Sequence, residues 1–487
     1  MKVFFINPPY KSEYGKFSRE QRSPAITKSR TIYYPLWLIY AAAVVKKNGF
    51  EVEFIDAPAK QMDADSCYEE IRKNGEGTKL FVIDTSTPSI YSDIDFLRGL
   101  KKYYPESFAV LVGTHVSALP EETIRIDDVI DAVARHEYDY IIRDLAIAFR
   151  DGRDLSEVRG ITYKKNGEII SNPDMPFIDC LDDIPFASEF IKEYLNEKDY
   201  FFSPATYPEI QIFTGRGCPY HCNYCVYPQV MHGHKYRLRS PQNVVDEFKY
   251  IAKNFPDVKE IVIEDDTFTA SRERVEEICN LLIQSKLNKR FRWLCNARVN
   301  TVDLSLMKMM KKAGCRLIIP GIESGNQQIL NNIKKGTKIE QYEPYVRNAK
   351  KAGILIHACY MVGNEGETKE TMQDTLKLAL KLNTDTAQFF PLMPYPGTEA
   401  YDWAKNNGYL KGDYSDFNKA NGDHNTVLNM PYLTTKEMNE FCDLARKKYY
   451  LRPRYIMHRL WVGVRDPEDL KRSLKAFGRI KDYLFRK

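Results

Sequence analysis

The chain has 487 residues and a formal net charge of +5, with 43% hydrophobic and 28% charged residues. This length predicts roughly two to four domains, and the composition is typical of a globular protein with a sizeable core. The positive excess is too small to indicate a nucleic-acid partner, so we expect none.

The first residues and the cysteine usage predict a cytoplasmic protein. The sequence Asn7-Pro8-Pro9 interrupts the first apolar run too early for a signal peptide. No apolar run approaches the ~20 residues that a membrane-spanning helix needs. The ten cysteines are scattered through mostly apolar segments, apart from one cluster of three, which is typical of buried reduced thiols rather than of a disulfide framework.

Residues 1–150 alternate between short apolar runs and helix-like segments. The runs KVFFINPP, EVEFIDAP, LFVIDTSTPS and FAVLVGTH indicate strands, and PLWLIYAAAVVKKNG indicates a helix that ends at Gly49. This alternation predicts a doubly wound α/β domain with a parallel sheet. Such sheets bind ligands beyond the carboxyl ends of their strands. No GxGxxG motif follows the first strand, so a dinucleotide is not the expected ligand.

Residues 151–204 have a different character. The stretch RGITYKKNGEIISNP has Asn166-Gly167 between two alternating runs, which is a strong signal for a β-hairpin. The following PFIDCLDDIPF indicates an extended connection. We therefore predict an interdomain linker that carries a β-hairpin.

Residues 205–404 return to alternating strands and helices. The strand-like runs are EIQIFTGRG, EIVIEDDTF, RWLCNARVN, RLIIPGIESG, ILIHACYMVG and AQFFPLMPYPGT, each followed or preceded by a helix-like segment. Six such units are fewer than the eight of a closed TIM barrel, so we predict a partial (β/α)6 barrel. Its chemistry should lie at the carboxyl ends of the strands.

Residues 405–487 lack strand signals and are predicted to form a mostly helical domain. From residue 447 to the end there are 13 Lys or Arg against 4 Asp or Glu, interleaved with aromatic residues. A solvated helical face with packed aromatic rings would account for this pattern. Two alternatives are a lid over the active site and a surface patch that faces anionic lipid.

The loop GRGCPYHCNYC carries the chemistry, with cysteines at positions 218, 222 and 225. Three thiolates suit one face of a [4Fe–4S] cluster, although such a cluster normally takes four. A zinc site with three cysteines and one histidine is the alternative, because His221, His232 and His234 lie close in sequence.

The loop resembles the CxxxCxΦC signature of radical S-adenosylmethionine (SAM) enzymes, in which Φ is aromatic and here is Tyr224. The resemblance extends over about residues 205–400. It implies that Cys218, Cys222 and Cys225 hold a [4Fe–4S] cluster whose fourth iron is chelated by the amino and carboxylate groups of SAM. In this family the cluster supplies one electron, SAM is cleaved, and a 5′-deoxyadenosyl radical forms.

The same resemblance implies SAM-binding residues at the ends of other barrel strands. The acids of IEDDTF resemble the second-strand motif near the SAM amino group, while Arg298 and Glu323 suit the SAM carboxylate and ribose. A structural ion pair of Arg298 with Glu323 is the alternative. A glycine turn at 363 or 366 would approach adenine. The implied SAM contacts are Tyr224, Glu264, Asp265, Arg298, Glu323 and Gly363.

The amino-terminal domain resembles the Rossmann-like cobalamin-binding domain that precedes the barrel in one large subclass of radical SAM enzymes. The matching stretches are FINPP, YPLWLIYAAAVV, VIDTSTPS, VGTHVSALPEE and ARHEYD. The DxHxxG motif, whose histidine binds cobalt in methionine-synthase-like domains, is replaced by DAPAKQ, so we expect no histidine lower ligand from this motif. We place His115 near the corrin amides or the nucleotide tail. The implied cobalamin contacts are Asn7, Pro8, Thr85, Ser86, Thr87, Ser89, Gly113 and His115.

The resemblance implies a cobalamin-dependent radical SAM enzyme that methylates an unactivated carbon through methylcobalamin. One alternative keeps both cofactors but forms or rearranges a ring on a lipid or tetrapyrrole, as in the anaerobic Mg-protoporphyrin ester cyclase. A non-catalytic cobalamin sensor is the other alternative. We further expect a small-molecule or lipid-like substrate, a reducing partner of the flavodoxin or ferredoxin type, possible peripheral contact with a membrane, and a monomeric state.

Overall fold

The computed structural model describes residues 1–10, 16–20, 22–27, 29–419, 421–423 and 425–465, and the single residues 470, 474 and 478. Within these residues the chain forms two large sheets, each surrounded by helices. The structure describes the basic, aromatic segment 447–487 without interruption only as far as residue 465. Most of its remainder lies outside the described residues.

The first sheet begins with five parallel strands in the order β2-β1-β3-β4-β5. Their bounds are β1 Lys2–Asn7, β2 Glu51–Asp56, β3 Thr78–Asp84, β4 Phe108–Val112 and β5 Ala132–Ala134. Successive side chains of a strand point to opposite faces, and in β1 they enter different apolar clusters, Val3 and Phe5 on one face and Phe4 and Ile6 on the other. The doubly wound α/β fold is thereby confirmed.

The predicted hairpin is present, but it extends the first sheet instead of standing in a separate linker. Its strands are β6 Ile161–Lys165 and β7 Glu168–Ser171, and β6 pairs antiparallel with β5. Both turn residues have positive φ, +54° at Asn166 and +84° at Gly167, as a tight Asn-Gly turn requires. The first sheet therefore continues past residue 150, to residue 171.

The second sheet consists of six parallel strands that follow one another in chain order, as predicted for a partial barrel. Neighbouring strands pair in parallel from the first to the last. Their bounds are β8 Glu209–Ile212, β9 Glu260–Ile263, β10 Arg292–Ala297, β11 Cys315–Glu323, β12 Leu355–Val362 and β13 Thr386–Pro391.

The longer helices cover both sheets and form the carboxy-terminal region. In chain order they are Leu36–Lys47, Ala64–Asn74, Ile90–Lys101, Asp139–Asp151, Ala187–Tyr194, Pro241–Asn254, Arg272–Gln284, Leu304–Lys312, Tyr342–Ala352, Lys369–Leu382, Glu399–Asn406, Thr435–Tyr450 and Pro453–Arg465. Among the described residues, no helix combines the length and apolarity needed to cross a membrane.

Helix Leu36–Lys47 joins the two domains through a shared core. Its residues 36–45 are all buried, which is typical of a helix that packs on every side. The Trp37 ring lies 4.6 Å from the ring of Phe213, which directly follows barrel strand β8. The Tyr40 hydroxyl accepts a hydrogen bond of 3.1 Å from the Phe213 backbone N–H. The same helix therefore positions the start of the barrel against the first sheet.

Buried ion pairs also fix the first domain to the segment around the cysteine loop. Arg216 donates to both carboxylate oxygens of Asp139 at 2.8 and 3.0 Å. Arg237 donates to both oxygens of Glu137 at 2.7 and 2.8 Å. The two arginines lie in the paired two-residue strands Gly215–Arg216 and Arg237–Leu238, which flank the loop. The loop is thus attached to both domains.

Candidate active site

The cysteine loop leaves the first barrel strand through a tight backbone passage. Gly217 has φ +87°, and a Cβ at this position would collide with the carbonyl oxygen of Lys235. Only glycine adopts this conformation without strain. The second glycine that the sequence places before the first cysteine is therefore required by the backbone itself.

A glutamine that carries no sequence signal holds the loop in shape. Gln229 lies in the short helical segment Tyr227–His232, just after the last cysteine. Its Nε2 donates to the carbonyl oxygens of Cys222, Asn223 and Cys225 at 3.2, 3.1 and 3.0 Å. Because these carbonyls lie on both sides of the turn, one side chain fixes the relative positions of two cysteines.

The three histidines near the loop in sequence, His221, His232 and His234, make contacts with groups other than the cysteine sulfurs. Nδ1 of His232 accepts the Gly217 backbone N–H at 3.1 Å, and its Nε2 lies 3.2 Å from the Asp266 carboxylate. Nδ1 of His234 lies 3.1 Å from the carbonyl oxygen of Cys218, and the exposed His221 ring stacks on His234 at 4.0 Å. These contacts favour an iron–sulfur site over the zinc alternative.

Cys218 and Cys222 are buried and Cys225 is half-buried, and all three line one cavity. Burial raises the pKa of the Cys218 and Cys225 thiols. Among the described residues, no group of three or more His, Cys, Asp or Glu side chains is arranged to hold one metal ion. In a cubane each thiolate binds a different iron, so the sulfurs need only line a common face, and this donor set fits a [4Fe–4S] cluster.

Arg298 lies directly beside the cysteine loop. Its Nη1 is 3.6 Å from the Cys222 sulfur, and its guanidinium carbon is 3.6 Å from the centre of the Tyr220 ring. Its Nη2 donates to the backbone carbonyl of Lys335. The buried guanidinium therefore adds positive charge where thiolates would bind a cluster, and it partly faces the cavity.

Glu323 is paired with a lysine that sequence patterns did not reveal. The Lys335 ammonium lies 2.8 Å from Glu323 Oε1, and both side chains are 7% exposed. The Tyr224 hydroxyl donates to the same oxygen at 2.9 Å. The structural pair of Arg298 with Glu323, weighed as an alternative, is replaced by this three-residue cluster. One carboxylate oxygen, Oε2, has no part in these contacts.

The acids after strand β9 divide into two groups. Glu264 and Asp266 line the cavity, whereas Asp265 is completely buried below the loop. Asp265 accepts bonds of 2.6 Å from both the backbone N–H and the hydroxyl of Thr214, and the Tyr236 hydroxyl lies 3.3 Å away. Asp265 thus supports the backbone that leads into the cysteine loop. Its contact with SAM stays a prediction.

Gly363 has φ +89° at the end of strand β12, but its open side is filled by the protein. A Cβ at this position would collide with the sulfur of Met438, in helix Thr435–Tyr450. At Gly366, with φ +80°, a Cβ would come within 2.7 Å of the Asn332 amide nitrogen. Packing accounts for both glycines, and an approach of adenine to Gly363 stays a prediction.

The cavity has a volume of about 930 Å³. It extends from the three cysteines, along the ends of the barrel strands, to residues of helix Pro453–Arg465. This volume lies near the upper end of the range for small-molecule sites. The sequence-predicted residues that line it are Cys218, Cys222, Tyr224, Cys225, Glu264, Arg298 and Glu323.

The carboxyl edge of the first sheet forms a separate buried network. Asn7 donates to the Asp56 carboxylate at 2.9 Å. Arg19 donates to Asn7 Oδ1 and to the carbonyl oxygen of Pro8, both at 2.7 Å, and it forms a two-point ion pair with Asp93. The Ser89 hydroxyl donates to Asp93 at 2.6 Å. Arg19 and Asp93, which the motif did not include, therefore bring Asn7, Pro8 and Ser89 together.

His115 and Gly113 lie at the next strand ends. A Cβ at Gly113, φ +119°, would collide with the carbonyl oxygen of Thr85, so the two turns are in direct contact. His115 Nδ1 lies 3.3 Å from the Thr87 hydroxyl, and Ser86 and Ser89 exchange a hydroxyl contact of 2.9 Å. Burial lowers the pKa of His115 to about 3, so its ring is neutral at physiological pH.

Among the described residues, three polar atoms at this edge are buried without a hydrogen-bond partner: His115 Nε2, Asp84 Oδ2 and Thr85 Oγ1. Such atoms are costly unless a ligand satisfies them. An amide-rich corrin fits this need, because its side chains offer both donors and acceptors. After strand β2 the Asp56 carboxylate accepts from the Ala59 N–H and the Tyr200 hydroxyl.

Comparison with protein families gives two matches that follow the two sheets. The radical SAM superfamily matches residues 212–379, and the B12-binding domain matches residues 22–146. The first match includes the cysteine loop and four further strands of the barrel. The second includes the strand ends Thr85 to Ser89 and Gly113 to His115.

Relatives extend over almost the whole chain. An uncharacterised methyltransferase of Pyrococcus horikoshii is 30% identical over 424 residues, which covers 87% of this chain and 89% of the relative. The anaerobic magnesium-protoporphyrin IX monomethyl ester cyclase of Rubrivivax gelatinosus is 27% identical and covers 99% of this chain and 82% of its own. A radical SAM methyltransferase from Kitasatospora setae, solved with cobalamin and a [4Fe–4S] cluster, shares the fold, with TM-score 0.66, 18% identity and coverage of 84% and 76%.

The residues at both sheet edges fit the groups that these families bind. Cys218, Cys222 and Cys225 would hold the cluster, with SAM in the adjoining cavity, and the edge around His115 would hold the corrin. A sensor without catalytic function leaves the cysteine loop unexplained. The chain belongs to the cobalamin-dependent radical SAM enzymes, whose cofactors are a [4Fe–4S] cluster, SAM and cobalamin.

Proposed function

We propose that this enzyme transfers a methyl group to an unactivated carbon atom of a small molecule. The observation that carries the proposal is one cavity of about 930 Å³ that is lined by the three cysteines and by three strand-end carboxylates. This space has room for SAM and a second molecule side by side. The relative from Pyrococcus horikoshii, described as a methyltransferase, supports the same class of reaction.

When bound, the cluster supplies the electron that cleaves SAM, and cobalamin supplies the methyl group. The residues of the protein bind and orient SAM and the substrate. Arg298 places a cation beside Cys222 and offers donors that match a carboxylate. Lys335 and the Tyr224 hydroxyl fix one oxygen of Glu323, so that its other oxygen can accept from a diol. The Lys335 and Glu323 side chains are each 7% exposed, and this low exposure to water strengthens their contact.

The test follows the methyl group. Reconstituted, reduced enzyme is given SAM labelled in its methyl group, and product mass and label are measured. The proposal expects a gain of one labelled CH₂ unit per product molecule and release of 5′-deoxyadenosine. A product that is oxidised or isomerised without label would contradict methyl transfer while leaving the cofactor assignment intact.

Ring formation is a second candidate because of one specific observation. The cyclase of Rubrivivax gelatinosus aligns with 99% of this chain, carboxy-terminal region included. In that case both cofactors would serve an oxidation or rearrangement of the substrate. The mass measurement above separates the two reactions, since only methylation adds a CH₂ unit.

A lipid-like substrate is the finer part of our proposal. Apolar and aromatic side chains from the last barrel strand and the carboxy-terminal helices also line the cavity, together with Arg446 and Arg459; they are Phe390, Met393, Tyr450, Tyr455, Ile456 and Leu460. Ile456 and Leu460 also belong to a strongly exposed apolar face of helix Pro453–Arg465, on which Met457 and Val464 are 67% and 81% exposed. A substrate with an apolar tail could enter along this face, and peripheral contact with a membrane would deliver it.

Membrane contact is tested by co-sedimentation with vesicles of neutral and of anionic phospholipid. The double variant Met457→Ser, Val464→Ser should bind vesicles more weakly than the parent enzyme. Tyr103→Ser, which alters an exposed residue of the first domain, is the matched control. Equal binding of all three proteins would remove the membrane from the proposal.

We also expect a monomeric enzyme and a protein reductant of the flavodoxin or ferredoxin type. The cysteine loop reaches the surface at the exposed His221, between the first two cysteines. This arrangement would leave a short path from a docked electron donor to the cluster. Reduction of the reconstituted cluster by purified flavodoxin or ferredoxin tests the partner, and light scattering tests the oligomeric state.

A further inference from the structure

A loop of the first domain reaches into the cavity of the barrel. The described residues 19, 20 and 22–24 lie between the two-residue strands Phe17–Ser18 and Ala25–Ile26, which pair antiparallel. Side chains of this loop, here named the bridging loop, contact both sheet edges. It therefore enters the SAM cavity from outside the barrel.

The first part of the bridging loop is rigidly held. Arg19 is 3% exposed and is bonded to Asn7, Pro8 and Asp93. The Glu20 carboxylate accepts the backbone N–H groups of Trp37 and Leu38 at 2.6 and 2.9 Å, and so caps helix Leu36–Lys47. Because Arg19 is buried and Glu20 is half-buried in contacts with the first domain, the chain is anchored on the amino-terminal side of Arg22.

The Arg22 guanidinium, in contrast, is held by long contacts, among them hydrogen bonds from Nη2 to the backbone carbonyl oxygens of Glu264 at 3.5 Å and Asp265 at 3.4 Å. Its Nη2 lies 3.3 Å from Asp266 Oδ1 and its Nη1 lies 3.7 Å from Glu264 Oε2, while its side chain is 37% exposed and lines the cavity. The Lys335–Glu323 pair in the same cavity is closer, at 2.8 Å, and only 7% exposed. Of the two ion pairs, the one with Arg22 is the easier to open.

Arg22 also contacts an aromatic ring in the same arrangement. Its guanidinium carbon lies 5.7 Å from the centre of the Tyr227 ring, within the range of a cation–π contact. Asp266 likewise has another neighbour, since His232 Nε2 lies 3.2 Å from its other oxygen. Arg22 is thus a cationic neighbour of both acids, Glu264 and Asp266.

SAM carries an ammonium and a sulfonium group, so it needs carboxylates that are free to accept a cation. We propose that Arg22 is a positioning residue that neutralises Glu264 and Asp266 while the SAM site is empty, and that cationic SAM displaces it. Arg22 therefore competes with SAM. This inference rests on the binding of SAM and not on the reaction that follows.

The test measures SAM binding without turnover. Wild type and the variant Arg22→Gln are reconstituted anaerobically, iron content is verified, and the dissociation constant for labelled SAM is measured by equilibrium dialysis without reductant. Removing the competing cation should tighten SAM binding about fivefold at low salt, the size expected for a partly exposed ion pair. The gain should shrink at high salt, because ions screen the two uncompensated carboxylates.

Three further variants keep the result decisive. Arg22→Lys retains the charge and should bind SAM as the wild type does. Arg22→Met retains apolar bulk and should behave like Arg22→Gln. Arg272→Gln, which breaks an exposed pair with Glu276 outside the cavity, should change nothing. Unchanged or weaker SAM binding by both neutral variants, or a lysine variant that behaves like them, would overturn the proposal.

Discussion

The two sheets of this enzyme end in polar side chains of opposite character. At the carboxyl edge of the first sheet, Asn7, Arg19 and Asp93 are buried and bonded to one another. At the ends of the barrel strands, Glu264 and Arg22 face a cavity and stand 3.7 Å apart. The first edge is held by an internal network that leaves a few buried neutral and acidic atoms for a ligand, whereas the barrel end keeps an open ion pair available to a ligand.

This difference matches the demands of the two organic cofactors. A cofactor that remains bound through many turnovers gains from a surface that is ordered beforehand, because little freedom is lost on binding. A cosubstrate that is consumed in each turnover must enter and leave, so its site needs contacts that open at low cost. The exchangeable contact lies at the barrel end, where Arg22 of the first domain meets Glu264 and Asp266.

The largest effect should follow from removing one cysteine of the barrel site. Cys222→Ala takes away one of three protein thiolates and, with it, the neighbour of the Arg298 guanidinium. We expect loss of stable cluster binding and no detectable 5′-deoxyadenosine, measured by iron content and product analysis. Cobalamin binding by the first domain should persist, which would confirm that the two sites are built independently.

The matched control for this variant is Cys279→Ala, which removes a buried thiol from helix Arg272–Gln284. A small cavity there should lower stability modestly without touching the cluster. Equal loss of iron from both variants would mean that Cys222 acts through folding. The assignment of the three-cysteine loop would then fail.

The stability of the contact between the domains should fall when one buried carboxylate is replaced by a neutral amide. Glu137→Gln leaves Arg237 and Arg216 buried without their shared carboxylate, which lies 2.7 and 3.4 Å from them. Breaking one partner of a buried pair costs about 3–5 kcal/mol, and denaturant unfolding measures it. The exposed pair of Arg125 with Glu121 provides the control, since Glu121→Gln should cost less than about 1 kcal/mol.

The fold could be predicted because strand and helix signals alternate with little interruption. The residues Asn166-Gly167 predict the hairpin turn. They do not predict the strand that pairs with the first hairpin strand, because this pairing depends on which strand lies at the edge of the folded sheet. The boundary at residue 150 therefore differs from the end of the first sheet at residue 171. A turn can be predicted from its local residues, whereas the strand that pairs with the hairpin depends on the tertiary fold.

The site could be predicted where its residues share one loop or one strand end. The cysteines follow from their spacing, and the acids of IEDDTF from their place after a strand. Alternation along the chain decides which of those acids faces inward, so Asp265 points below the loop while Glu264 and Asp266 line the cavity. Lys335 and Arg22 reach the cavity from distant segments, and no local pattern marks them.

A smaller effect on SAM cleavage should follow from breaking the tight ion pair of the barrel. Lys335→Met removes the ammonium 2.8 Å from Glu323 and leaves this buried carboxylate with Tyr224 alone. A hydrogen bond to a charged group contributes about 1.5–3 kcal/mol, so SAM cleavage should slow about 10- to 100-fold. The neighbouring Lys334, which pairs with Glu399 on the surface, is the control, and Lys334→Met should retain full activity.

The smallest effect concerns the rigid edge of the first sheet and its dependence on pH. Burial holds the pKa of His115 at about 3, below its ordinary value of 6.5. Between these two values the unfolded chain binds a proton and the folded chain does not. The free energy of unfolding should therefore fall as pH decreases from about 6.5 towards 3, by about 1.4 kcal/mol per pH unit for this residue.

The variant His115→Gln isolates this contribution, because other titrating groups remain in both proteins. Asp84, whose pKa is raised to about 8 by burial, acts in the opposite direction: its stabilisation is lost as pH rises through 8. His232, with a pKa lowered to about 3, acts like His115. Both cancel when the two unfolding curves are subtracted. If the unfolding free energies of the two proteins changed with pH in parallel between pH 4 and 6.5, the pKa of His115 would be the same in the folded and unfolded states. The edge of the first sheet would then have to expose this ring to water.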